Sequence, residues 1–183
     1  MKANACILIK PNRHEDHRGF FAETYNRKKY LEHGIDIEFV QDNHSISKEM
    51  GTLRGLHFQV PPYAQAKLVR CGHGALFDVA VDIRRGSPTY GKWVGHELTA
   101  DNGYQLYVPI GFAHGFITLK PESEIVYKCT HYYVPDSEKS ISWEDPNIKI
   151  CWPKFHKPIL NKRDAVAPIL EDFKSPFIYG DNS

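Results

Sequence analysis

An all-β fold, a sandwich or barrel of short strands, is what this sequence predicts, and three observations predict it. Short apolar runs are separated by turn clusters of Gly, Pro, Asn and Asp rather than by helical stretches. Several of these runs alternate apolar and polar residues with a period of two. Two segments, Gly51 to Gln59 and Gly103 to His114, each run from a glycine turn through a short apolar strand to a histidine, which is how a small β-barrel presents imidazoles to its interior.

Taken in order, residues 5–10 form the first expected strand and residues 27–33 the best helical candidate. Strands are then expected over 67–71 and 75–84. In the latter, Ala75, Phe77, Val79, Val81 and Ile83 share one face, with Asp78, Asp82 and Arg84 on the other. Gly86-Ser87-Pro88 and Asp101-Asn102-Gly103 supply turn chemistry around a strand at 93–99. Further strands are expected at 105–108, 115–119 and 125–134. On the last of these, alternation puts Tyr127, Cys129, His131 and Tyr133 on one face. A second short helix is expected near 162–167. The chain reads as one domain over 1–183, with a core of about 5–145 and a tail, 146–183, rich in Pro and Asp and wrapped over the barrel.

The bulk numbers restrict function. A chain of 183 residues can bury a core without disulfide or metal staples, and 42% hydrophobic with 25% charged residues is ordinary for a soluble globular protein. A net charge of +1 gives no electrostatic reason to expect nucleic acid or an anionic membrane as partner. The four cysteines, Cys6, Cys71, Cys129 and Cys151, are far apart and read as free thiols in a reducing compartment. The apolar run at 5–9 is too short for a signal peptide or a membrane span, so a cytoplasmic location is expected. No phosphate-binding glycine loop or His-Glu-x-x-His zinc motif occurs. Gly72-His73-Gly74 fails the dinucleotide fingerprint because Phe77 holds the third glycine position.

The two glycine-to-histidine segments resemble the signature segments of the cupin superfamily, which implies a jelly-roll β-barrel with a site in its mouth and a few short helices. The second segment keeps that pattern through Pro109 and Gly111 to His114. The first breaks after His57, because Gln59 stands where a metal-binding cupin carries a second histidine. A pocket without a metal is therefore expected. Arg54 and His57 lie close together, although strict alternation sends them to opposite faces; a bulge at Gly55 would reconcile them.

A longer ordered set of motifs is more specific. Asp16-x-Arg18-Gly19-Phe20, Gln41-Asp42-Asn43-His44-Ser45, Leu53 to Gln59, Lys67-Leu68-Val69-Arg70, Asp78 to Asp82, Ser87-Pro88-Thr89, Gly111 to Phe116 and Tyr132-Tyr133-x-Pro135 follow one another across roughly residues 5–170. Together they resemble the dTDP-4-dehydrorhamnose 3,5-epimerase family. The resemblance implies a dTDP-linked 4-keto-6-deoxysugar as substrate, no metal or nicotinamide cofactor, and a homodimer. By matching, His57 is the base, Asp164 the carboxylate that orients it, Tyr127 the proton donor, and Lys67 the cation at the C4 oxygen. Arg18, Phe20, Glu23, Gln41, Asp42, Asn43, Arg54, His114, Glu138 and Arg163 fall at positions near substrate or nucleotide, and Tyr133 at the position that stacks on the thymine ring. Arg163 replaces an expected lysine, which keeps the charge and changes the donor geometry.

Other readings of the same residues stand beside these. His114 either meets the ligand or hydrogen-bonds within the barrel. Tyr127 and Tyr133 could be cross-strand aromatics, Lys67 an edge-strand charge, and Asp164 a carboxylate at a helix end. Alternative functions are a C3- or C5-only epimerase of a related sugar and a metal-dependent cupin enzyme using His57, His114 and a carboxylate.

Overall fold

The computed structural model describes residues 4–155 and 157–180. Among the described residues twelve strands occur, mostly in two five-stranded antiparallel sheets facing each other. The first sheet has the order β1 (Ile7–Ile9), β9 (Gln105–Val108), β6 (Lys67–His73), β11 (Ser123–Cys129), β4 (Gln41–Ser47). The second has the order β12 (Glu138–Ser140), β5 (Leu53–Gln59), β10 (Phe112–Thr118), β7 (Ala75–Asp82), β8 (Trp93–Thr99). A separate hairpin joins β2 (Arg13–Asp16) to β3 (Gly19–Ala22), and the helix α1 spans Arg27–Glu32 behind an Asn26 cap whose side chain accepts from Lys28 and Lys29 amides. This is the expected jelly-roll type: each expected strand overlaps an observed one, β2, β3, β4 and β12 were not expected, and the second helix is reduced to a 3-10 turn at Asp164–Val166.

Three apolar layers hold the sheets. Between them, Val69, Cys71, Leu106, Val108 and Ile125 from the first sheet meet Leu76, Ala80, Leu98, Phe112 and Phe116 from the second. Behind the first sheet, Leu68 and Tyr107 are covered by the segment carrying Tyr25, Tyr30, Ile35 and Phe39. Behind the second, Leu56, Phe58, Val79 and Val81 are covered by the tail through Ile141, Ile148, Leu170 and Phe177. Val79, Val81 and Ile83 share a face, as alternation predicts. That face lies under the tail, and Asp78 and Asp82 are buried too, because β7 has protein on both sides. The tail is tied down by the buried Asp145, which accepts from the amides of Asn147, Ile148 and, at 2.6 Å, Leu170.

Candidate active site

Strand alternation carries a set of polar side chains into one end of the space between the sheets. In the first sheet Gln41 pairs with Cys129 and Asn43 with Tyr127, while Cys129 also pairs with Lys67, so all five face inward together. In the second sheet His57 and Gln59 face them, and Glu138 on β12 lies opposite Gln59. With Gln65 and Tyr133 from adjoining loops, these residues line a cavity of about 320 Å³.

The β5–β10 ladder places His57 opposite His114 but Arg54 opposite Phe116, so β5 carries one extra residue between them. This is the bulge expected at Gly55, and it turns Arg54 and His57 to the same face. Glycine is required there: φ is +138°, and a Cβ would stand 2.5 Å from the Gly115 Cα. The bulge also frees the Gly55 N–H, which donates to Asp164 Oδ2 at 3.2 Å. The other carboxylate oxygen lies 2.6 Å from His57 Nε2. Asp164 is 1% exposed and comes from the tail, where its own amide donates to Asn161 Oδ1 at 2.7 Å. With Nε2 donating to the carboxylate, the tautomer assigned by this bond leaves the Nδ1 lone pair free.

On the facing sheet, burial pushes the Tyr127 phenol up to about 12, with Cys129 and Glu138 adding to the shift, so it remains protonated at neutral pH. Burial lowers the Lys67 ammonium. Among the described residues neither side chain has a hydrogen-bonded protein partner, although the Lys67 ammonium lies 5.9 Å from the centre of the Tyr127 ring. The amides beside them are oriented by a chain of bonds: Tyr133 N–H to Gln41 Oε1, Gln41 Nε2 to Asn43 Oδ1, and Asn43 Nδ2 to the Cys129 sulfur.

At the cavity mouth Tyr133 and Arg163 both donate to Glu138 Oε2, each at 2.7 Å. Burial alone would raise the Glu138 carboxyl, but these two bonds outweigh it and hold it at about 2. A depressed carboxyl contributes stability above its unfolded value of 4.5 and loses it as pH falls toward 2. The melting temperature of Arg163→Ala should therefore lie below that of the wild type by a constant margin from pH 7 to about 5, and the margin should close between about 4.5 and 2. A margin that persists unchanged to the acid end would show that Arg163 does not act through Glu138.

Not every residue matched in the sequence reaches this cavity. Arg18, Phe20 and Glu23 are exposed on or beside the β2–β3 hairpin: Arg18 pairs with Asp16, Glu23 with Lys29, and the Phe20 ring stacks under Arg13. The alternation that brings Gln41 and Asn43 inward sends Asp42 outward to an ion pair with Lys128. Arg54 turns toward β4, bonding Ser47 and the Ile46 carbonyl. His114 does hydrogen-bond within the barrel: its Nε2 lies 3.0 Å from both oxygens of the buried Asp78. The strand expected to continue to 134 ends at Cys129, after which Thr130 bonds Ala66 and the chain turns toward a 3-10 turn at Pro135–Ser137. Tyr133 enters the cavity from that loop and not by alternation, while His131 stacks edge-on against Tyr63 instead. Sequence reasoning passed over Asp78, Gln65 and Asn161 as contributors. A carboxylate in the middle of an apolar strand was the one available signal for Asp78.

The amide that stands where a metal-binding cupin carries a second histidine is spent on backbone: Gln59 donates to the Tyr63 and Tyr132 carbonyls and accepts from the Val134 amide. Among the described residues no group of three or more His, Cys, Asp or Glu could hold a metal ion.

Known proteins share this sequence and arrangement. The family model described as dTDP-4-dehydrorhamnose 3,5-epimerase matches residues 1–172. A dTDP-4-dehydrorhamnose 3,5-epimerase of Sinorhizobium fredii is 51% identical over 172 residues, covering 94% of this chain and 88% of the relative. The enzyme of the same name from Salmonella typhimurium is 53% identical over 166 residues, covering 90% of each. The crystal structure of the dTDP-6-deoxy-D-glucose-3,5-epimerase of Legionella pneumophila, in complex with dTDP-4-keto-L-rhamnose, superposes with a TM-score of 0.87 at 46% identity, over 93% of this chain and 92% of that one. With its motifs, fold and whole-length similarity in agreement, the chain belongs to the dTDP-4-dehydrorhamnose 3,5-epimerase family.

Proposed function

We propose that the protein inverts C3 and C5 of dTDP-4-dehydro-6-deoxy-D-glucose to give dTDP-4-dehydro-L-rhamnose, in the biosynthesis of dTDP-L-rhamnose and without a metal or nicotinamide. The observation that carries this reading is an oriented imidazole and a protonated phenol presented from opposite sheets to one cavity. Hydrogens on C3 and C5 are acidic because each carbon adjoins the C4 ketone. His57 Nδ1 takes one such proton, the C–H electron pair moves into an enolate, and Asp164 stabilises the imidazolium that forms. Lys67, held in the cavity wall with no hydrogen-bonded protein partner among the described residues, faces the enolate oxygen and stabilises its charge. Tyr127 returns a proton to the opposite face of the same carbon, which inverts it, and exchange with water resets both groups. Gln41, Asn43, Tyr133, Glu138 and Arg163 hold the nucleotide end of the substrate at the mouth.

The test is incubation with dTDP-4-keto-6-deoxyglucose in heavy water, followed by NMR. Deuterium at both C3 and C5 with inverted product is expected. Labelling and inversion at one carbon would make the protein a single-carbon epimerase, and no labelling would remove the proposal.

A homodimer is part of the same reading. Phe20 and Phe21, 56% and 70% exposed, project on the β2–β3 hairpin together with Arg18, and a second copy covering that hairpin would bury them. No helix among the described residues is long and apolar enough to cross a membrane, and we place the protein in the cytoplasm.

A further inference from the structure

Asp164 has to hold its carboxylate on His57, yet it lies in irregular chain with no strand ladder of its own. Upstream, the tail is stapled to the start of β5 at Ile159, whose carbonyl accepts from Leu53 and whose amide donates to Gly51. Downstream, it is stapled where the Pro168 carbonyl accepts from Ser142 and the Leu170 amide donates to Asp145. Between these anchors the chain makes a single 3-10 turn, Asp164–Val166. Asn161 builds that turn from both of its oxygens: Oδ1 accepts from the Asp164 amide at 2.7 Å, and its carbonyl accepts from the Ala165 amide at 3.2 Å.

We infer that Asn161 is a positioning residue for the reaction, its side-chain oxygen fixing the Asp164 backbone and thereby the carboxylate that orients His57. The inference rests on the reading of His57 as the base. Two constraints then act on one side chain from opposite directions. Asn161 holds its backbone, and the Gly55 amide freed by the bulge holds Oδ2. A carboxylate gripped at both ends has one orientation to offer the imidazole at 2.6 Å. Freed at its backbone end, it can turn or withdraw, and displacements near an ångström at reacting groups cost up to about a hundredfold in rate. Asn161 is itself exposed, so its substitution opens no cavity.

The experiment compares Asn161→Ala with Asn161→Ser and Asn161→Asp, which keep an oxygen able to cap the same amide. Asn161→Ala is expected to lower kcat about tenfold with KM unchanged, since nothing at the cavity wall is removed. Serine and aspartate should restore kcat to within about twofold. In 15N-labelled protein the low-field imidazole N–H signal of His57, which reports the bond to Asp164 without turnover, should shift or broaden in Asn161→Ala and return in the two capping variants. Wild-type kcat with an unmoved signal in Asn161→Ala would overturn the inference, as would equal losses in all three variants. A His57→Ala control separates the two claims: if it retained wild-type exchange, the base assignment would fail, whereas a dead His57→Ala beside a normal Asn161→Ala would sink only the positioning role.

Discussion

Replacing His57 with alanine is expected to abolish deuterium incorporation at C3 and C5 and to lower kcat by roughly 10²- to 10⁴-fold, the range a positioned general base supplies. Binding of dTDP should change little, because the nucleotide contacts proposed at the cavity mouth come from other residues. The variant has a second consequence that must be kept apart from the first. Removing the imidazole leaves the buried Asp164 carboxylate with the Gly55 backbone amide as its remaining hydrogen-bond partner, and breaking a buried pair by removing one member costs about 3 kcal/mol or more. A loss of rate in alanine alone could therefore come from a disturbed tail. His57→Gln resolves this, since its terminal amide can still donate to Asp164 from near the position of Nε2 but is no base. Thermal stability should recover in His57→Gln while exchange stays lost. Exchange at the wild-type rate in either variant would remove His57 from the mechanism.

How far the sequence discloses this arrangement depends on the range of each interaction. Period-two alternation and turn residues are local, and they place β8 and β9 to the residue, over Trp93–Thr99 and Gln105–Val108. Where alternation was carried past the end of a strand it misled for His131, which packs against Tyr63 and is not in the cavity lining, and it placed Tyr133 correctly for the wrong reason. Tyr133 faces the cavity because its amide and hydroxyl are held by Gln41 and Glu138, not because of its parity with Tyr127. Asp42 shows the opposite case: motif membership drew it into the site, while parity with Gln41 and Asn43 turns it outward. The bulge at Gly55 was legible because two residues of one motif had incompatible parities and a glycine stood between them. The hold of the Gly55 amide on Asp164 was not, for it joins positions more than a hundred residues apart through a backbone amide, which leaves no mark on side-chain pattern. The Asp78–His114 pair was hidden for a related reason, since a carboxylate inside a sandwich and one on its surface look alike in sequence.

Tyr127→Phe should separate proton removal from proton return. The phenol makes no hydrogen bond to protein among the described residues, so its loss orphans no donor or acceptor, and the aromatic ring that packs against the interior cluster is kept. Stability is expected to stay within about 0.5 kcal/mol of wild type, and so is the free energy of dTDP binding. Because His57 and Lys67 remain, the enolate can still form, and the base can return the proton it took, or a deuteron from solvent, to the original face. The expected result is continued exchange with retention, together with a fall of roughly 10²- to 10⁴-fold in inverted product at one or both carbons. Burial strengthens the case for the phenol as donor: with its titration pushed up to about 12, it holds its proton across the working range and yields it only to something as basic as an enolate carbon. The rate of inversion in wild-type protein should accordingly show no loss of donor below about pH 10, while that of Tyr127→Phe should stay low throughout. If Tyr127→Phe gave inverted product at the wild-type rate, water or another side chain would be the donor. If instead it lost exchange as well as inversion, the phenol would be needed to form the enolate and not only to quench it. Only retention of exchange with loss of inversion fits two groups acting from opposite faces of one sugar.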